Sequence, residues 1–406
     1  MKKLSLISRV FICLVIGIGL GLFLKSINVD FPIRILSTIG DLFKNFLSFI
    51  IPLIIIAFIV PGIASLGKKA GKALLISTVV AYISTIIAGL LAYFVGATLI
   101  PKFLKTNSLL SESASQITSY FTVDMPPVME VMSALVLAFV LGIGIAKLNN
   151  SVAIKLANEF NEIVLMIVEN ILIPFVPIYI GCIFAKLSYA GEIFTTLKSF
   201  GIVYIILFSL QAMYLLIQFS FAGSISRQNP IKLIKNMIPA YLTAVGTQSS
   251  SATIPVTLQC ARKNNVTDEV VDFVIPLAAT IHLAGDTIAI TLTSMAVMYM
   301  NGQLPSFGAI LPFIFMLGVT MVAAPGVPGG GIMASLGILQ TMFGFGAMEQ
   351  SIMIALHAAQ DSFGTATNVT GDCALAILVD EILNKKKESY KKDRKEVKGD
   401  ISELAS

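Results

Sequence analysis

The sequence predicts an all-helical, polytopic membrane protein, and three observations predict it. Of 406 residues, 56% are hydrophobic and only 13% are charged, against roughly 25% charged in a soluble domain. Apolar runs long enough to cross a bilayer, about 20 residues each, recur along the chain with charges clustered between them. In the second half two polar breaks interrupt apolar sequence. Non-helical backbone survives at membrane depth only where it is buried in protein or lines a wet cavity.

The elements follow in order. The run 6–24 comes after Lys2 and Lys3 and imitates a secretory signal. No small-residue cleavage pattern follows it, only Phe23-Leu24-Lys25, so an uncleaved first span is expected. Runs at 46–66, 73–100, 129–146, 163–184 and 201–222 complete six regular spans. The serine-rich segment 101–127 is expected to be an external loop. The remainder reads differently. Segment 231–262 is semi-apolar with a polar middle, and 270–300 is apolar but holds His282 and Asp286. Segment 310–345 is apolar with a glycine-proline break. Segment 351–383 is apolar at both ends and polar over 360–372. Beyond it the chain mixes lysines with acids and carries no apolar stripe, so a solvated, partly disordered tail is expected. The organisation is then 1–230 with six spans, 231–384 as an interrupted core, and 385–406 as a charged tail.

Charge sets the orientation. With a cytoplasmic N-terminus, Lys68, Lys69, Lys72, Lys147, Lys155, Arg227, Lys232 and Lys235 all fall inside. If both broken segments are re-entrant, Arg262 and Lys263 also stay inside, and so does the tail. The expected location is therefore a multi-pass protein of the cell membrane with both termini cytoplasmic. The net charge of +5 serves topology and points to no nucleic-acid partner.

Several functions are disfavoured. Cys13, Cys182, Cys260 and Cys373 have no metal-ligand spacing, and two histidines are too few for a histidine-rich metal site. His357, in an apolar run, reads as structural. An intramembrane aspartyl protease needs Gly-x-Gly-Asp. Gly285-Asp286 and Gly371-Asp372 both lack the first glycine. An intramembrane enzyme and a channel stay as remote alternatives.

The polar breaks carry the chemistry. The first is Thr247-Gln248-Ser249-Ser250-Ser251-Ala252-Thr253-Ile254-Pro255, and the second is Ala324-Pro325-Gly326-Val327-Pro328-Gly329-Gly330-Gly331. Paired interrupted segments point to a transporter's binding site. Serines at a half-helix N-terminus offer hydroxyls and free N–H groups to a carboxylate. The alternative is a plain serine loop. Glycines let backbone approach a ligand closely. The alternative there is an ordinary connecting loop.

Asp361, Thr365, Asn368 and Asp372 recur at i, i+4, i+7 and i+11 and share one helix face. A carboxylate in the membrane costs about 3 kcal/mol on the lenient scale. Oxygen ligands on one stripe suit a hard cation or a substrate ammonium. A polar seam between helices is the competing explanation. It is weakened by two acids with no lysine or arginine nearby in sequence. His282 lies one turn from Asp286, where it could titrate or simply hydrogen-bond.

Together these residues resemble the dicarboxylate/amino acid:cation symporter family, which includes glutamate and serine/threonine transporters. Ser249-Ser250-Ser251-Ala252-Thr253-Ile254-Pro255 looks like its first hairpin tip and Gly326-Val327-Pro328-Gly329 like its second. Asn368-Val369-Thr370-Gly371-Asp372 looks like its last-helix cation motif. The resemblance implies eight transmembrane helices plus two re-entrant helical hairpins, arranged as glutamate-transporter-like inverted repeats. It also implies a homotrimer built on the early helices. The third and sixth helices would join the hairpins and last helices in a transport domain that moves as an elevator.

By the same resemblance, Ser250, Ser251 and Asn368 would hold a substrate carboxylate. Asp361 would take its ammonium, and Thr365, Val327 and Gly331 would line the pocket. Asp372 and Asn368 would ligate sodium, with Thr280 at a second sodium site. The departures bear on substrate. The arginine that pairs with an acidic side chain is absent: Gly364 stands at the last-helix position and Gln248 at the first-hairpin alternative. The family's Asn-Met-Asp reads His282-Leu283-Ala284, so the acid of a third sodium site is missing. Asp286 stands where a pocket hydroxyl is usual. The expected function is symport of a neutral or polar amino acid with Na+. The alternatives are a basic amino acid or dicarboxylate as substrate, and H+ as coupling ion.

Overall fold

The computed structural model describes residues 6–68, 72–104, 117–148, 152–191, 193–324 and 328–403. Among them helix is the only regular structure, with no strand. The first half holds α1 (Leu6–Ser26), α2 (Phe31–Lys68), α3 (Lys72–Phe103) and α4 (Val131–Lys147). These are followed by α5 (Val152–Ile167), α6 (Ile173–Ala190) and α7 (Ile193–Ser226). The second half holds α8 (Pro230–Thr247), α9 (Ser250–Arg262), α10 (Asp268–Ile281) and α11 (Ala284–Met300). It ends with α12 (Phe307–Ala323), α13 (Gly330–Phe343) and α14 (Ala347–Glu403). Four helices among the described residues are long and apolar enough to cross a membrane, or five if one bent pair is a single span.

Several predicted spans come out longer than their apolar runs, two of them for visible reasons. The helix placed at 46–66 begins at Phe31, because irregular chain packs along its first turns and satisfies its polar groups. Arg34 Nε donates to the Thr118 carbonyl at 3.1 Å, and Asn45 Nδ2 to the Val123 carbonyl at 2.7 Å. The run 163–184 is the middle of a pair, α5 and α6, joined by a π-helical turn at Val168–Leu172 and bent by 44°. Pro174 and Pro177 follow that turn, and a missing amide N–H at each explains why a regular ladder fails there.

α14 runs as helix to Glu403. Its lysines and glutamates are good helix formers, and extension of an existing helix needs no new nucleus.

Helices sort by packing. α2 packs on α4, α5 and α6, and α1 on α6. α3 and α7 pack on the second half, chiefly α11 and α14, and α14 also gathers α8, α9 and α10. The α1–α6 contact is a close backbone crossing. A Cβ at Gly17 would collide with the Gly181 carbonyl, and one at Gly21 with the Ala185 carbonyl. Small residues four apart let membrane helices approach this way. Gly17→Leu is expected to destabilise the fold by about 1–3 kcal/mol through overpacking, read as a lower melting temperature in detergent. An unchanged melt would show that α1 packs elsewhere.

Candidate functional site

Local sequence builds two hairpins. In the first, the Asn229 side chain caps α8 by accepting from the Ile231 and Lys232 amides at 2.9 and 3.3 Å, with Pro230 at the first helical position. α8 ends at Gln248, held left-handed at φ +54°. Ser249 then caps α9, its side chain accepting from the Ala252 amide at 3.3 Å. The turn therefore takes two residues, and the N-terminus of α9 lies at the tip. In the second hairpin Gly329, at φ +74°, precedes α13. A Cβ would strain that left-handed backbone.

Both tips meet α14 at consecutive residues. Gln248 Nε2 donates to Ser362 Oγ at 3.3 Å, and the Gly329 amide donates to Asp361 Oδ2 at 2.9 Å. A third helix start lies beside them. The chain breaks at His282 and Leu283 between α10 and α11. The Gly285 amide donates to Asn368 Oδ1 at 2.7 Å, and Asn368 Nδ2 donates to Asp286 Oδ2 at 3.1 Å. The close approach of α11 to α14 needs glycine: a Cβ at Gly285 would run into the Gly364 carbonyl.

The structure thus brings together Asp286, Gly331, Asp361, Gly364 and Asn368. A Cβ at Gly331 would lie 3.0 Å from Asp286 Oδ2, and one at Gly364 would lie 3.1 Å from Asp286 Oδ1. Ser250 and Thr365 are buried, whereas Ser251 is exposed at the first tip. Val327 lies outside the described residues. Thr280 is exposed, and its hydroxyl donates to the Leu277 carbonyl of its own helix at 2.7 Å.

Asp372 lies about three helical turns beyond Asp361 on the same face of α14. His282 Nδ1 is 2.9 Å from Asp372 Oδ1, and its Nε2 is 2.9 Å from Ser84 Oγ on α3. Ser84 also meets Tyr214 and Gln218 of α7. The second carboxylate oxygen, Asp372 Oδ2, is buried and has no hydrogen-bond partner among the described residues. An orphaned buried carboxylate oxygen costs several kcal/mol unless a cation or proton meets it.

His357 reads from sequence as structural, and the structure sets it among the acids. Its Nε2 lies 3.5 Å from Asp286 Oδ1 and 3.4 Å from Asp361 Oδ1. The signal was its position four residues before Asp361, one helical turn away. Its approach to Asp286 comes from another helix and was not visible. Gln360 and Gln211 support this cluster: Gln211 Nε2 donates to Gln360 Oε1 at 3.2 Å.

Two broken helical hairpins facing a polar, acid-bearing helix are the arrangement found in secondary transporters of the interrupted-hairpin kind. Residues 6–382 match the sodium:dicarboxylate symporter family, and the chain belongs to that family, which is one of symporters rather than enzymes. Human excitatory amino acid transporter 1 is 32% identical over 159 residues, covering 39% of this chain and 29% of that protein. Rat neutral amino acid transporter B(0) is 25% identical over 316 residues, covering 75% of this chain and 56% of that protein. The chain thus matches less than two thirds of the length of either relative.

Proposed function

We propose that this chain is a symporter that moves a small neutral or polar amino acid with sodium across the membrane, by an elevator motion of the hairpin-bearing half. The observation that carries this reading is the meeting of both hairpin tips with Ser362 and Asp361 on α14. Substrate carboxylate goes to the α9 N-terminus at Ser250 and Ser251 and to Asn368. Substrate ammonium goes to Asp361. Thr365 and Gly331 line the space between.

Size and charge argue for the side chain. An acidic side chain would face Asp286 with no arginine, leaving like charges buried together at a cost of several kcal/mol. A long basic side chain has little room, since even a Cβ at Gly364 would touch Asp286 Oδ1 at 3.1 Å. The names of the relatives support an amino acid as cargo.

Asp372, through its unpartnered Oδ2, and Asn368 bind the coupling sodium, with Thr280 at a second site. The His282–Asp372 contact favours a second reading, in which a proton on His282 supplies part of the coupling charge. α3 and α7 travel with the second half, and α1, α2, α4, α5 and α6 form the static part of a homotrimer in the lipid bilayer. Eight crossings and two re-entrant hairpins leave both termini cytoplasmic.

The substrate assignment is tested by uptake competition in vesicles driven by a sodium gradient. Wild-type protein is expected to prefer serine, threonine or alanine over aspartate. Gly364→Arg combined with Asp286→Thr places a guanidinium where it can pair bidentately with a side-chain carboxylate, and is expected to shift preference toward aspartate by tenfold or more, about 1.4 kcal/mol. Wild-type uptake that favours aspartate would sink the assignment.

A further inference from the structure

We infer that Asp286, His357 and Asp361 form a binding site for a divalent transition-metal ion of the zinc class. The three side chains come from α11 and α14, and one nitrogen or oxygen of each lies within 4.8 Å of the others. All three are at most 3% exposed. Among the described residues neither carboxylate is paired with a lysine or arginine. Two of the atoms turned into the cluster, Asp286 Oδ1 and His357 Nε2, have no hydrogen-bond partner among the described residues.

The spacing fits a shared metal ion. A charge-assisted N–H···O bond closes to roughly 2.7–2.9 Å. His357 Nε2 instead stands 3.5 and 3.4 Å from the two acids. Donors about 2.1 Å from a tetrahedral ion sit roughly 3.4 Å from one another. One imidazole and two carboxylates are donors that zinc-class ions accept, and the two negative charges balance a divalent ion. The remaining oxygens are already held: Asn368 Nδ2 donates to Asp286 Oδ2, and the Gly329 amide to Asp361 Oδ2. Each carboxylate is therefore aimed with one oxygen inward.

The imidazole must present its lone pair at Nε2 and carry its proton on Nδ1. Gln360 lies 3.3 Å from Nδ1 and 3.2 Å from Gln211. As placed, Gln360 Nε2 faces Nδ1 and Gln360 Oε1 accepts from Gln211 Nε2. With both amides turned together, Gln360 Oε1 accepts the Nδ1 proton and Gln360 Nε2 donates to Gln211, as outer partners of metal-bound histidines do. Three protein ligands leave the fourth tetrahedral position to a ligand from outside the chain.

The site itself does not depend on which solute is carried. Its consequence does rest on the proposed transport function: an ion on Asp361 occupies the carboxylate assigned to the substrate ammonium, and so the metal inhibits uptake.

The test is a titration of the full chain, purified in detergent and stripped with a chelator, with Co2+ and Zn2+. One equivalent of Co2+ is expected to give the intense visible bands of a tetrahedral ion, and Zn2+ to displace it. His357→Gln should weaken binding more than tenfold. X-ray absorption on the zinc-loaded wild type needs no variant, and should show one imidazole nitrogen with oxygens at about 2.0–2.2 Å. Absence of saturable binding, a six-coordinate shell of oxygens alone, or equal affinity in His357→Gln would overturn the site.

Discussion

Asp361→Asn is expected to abolish amino acid binding while sodium binding stays measurable. Asp361 is 3% exposed and sits under the second hairpin tip, which it holds through the Gly329 amide at 2.9 Å. An asparagine of the same shape can still accept that hydrogen bond, so the tip keeps its anchor. What disappears is the counter-charge for a buried ammonium. Truncating one partner of a buried charged pair costs about 2–5 kcal/mol, a loss of roughly thirtyfold to several thousandfold in affinity. Isothermal titration with serine and with alanine, each at saturating sodium, reads the loss directly. Near wild-type affinity in Asp361→Asn would mean that the ammonium binds elsewhere and that the pocket is misplaced.

The face of α14 was legible because helical periodicity alone aligns Asp361, Thr365, Asn368 and Asp372. The two breaks were legible because serine and glycine-proline runs are out of place in apolar sequence. Partners supplied by other helices were not. His282 reads from sequence as a neighbour of Asp286, one turn on. The chain in fact breaks at His282 and Leu283, which frees the ring to meet Asp372, 90 residues away. Asp286 instead turns to Asn368 and His357. A helix break between two polar residues undoes any inference from their spacing, and nothing in the local sequence says which partner each will find. The α1–α6 crossing was within reach, since Gly17 and Gly21 are four apart and Gly181 and Ala185 match them. Glycines in a glycine-rich membrane chain are easily passed over until a carbonyl is found against them.

Asp372→Asn should raise the sodium midpoint by tenfold or more and weaken amino acid binding with it. The carboxylate is 1% exposed and has divided its oxygens. Oδ1 meets His282 Nδ1 at 2.9 Å, and Oδ2 has no hydrogen-bond partner among the described residues. Asparagine removes the negative charge and fills one of these positions with an amide nitrogen that repels a cation. Asn368 lies on the same face of α14 and touches both Gly285 and Asp286. Loss of the cation therefore reaches the substrate pocket through one side chain. Equilibrium coupling is reciprocal, and typical values of 1–3 kcal/mol correspond to about 5- to 150-fold. Amino acid affinity should then fall in Asp372→Asn at low sodium and recover in part as sodium is raised. Sodium titrations at fixed amino acid, repeated at several pH values, distinguish the two coupling ions. A midpoint that moves with the substitution makes Asp372 a sodium ligand. An unchanged midpoint removes it from the sodium site and leaves the His282–Asp372 pair to a proton.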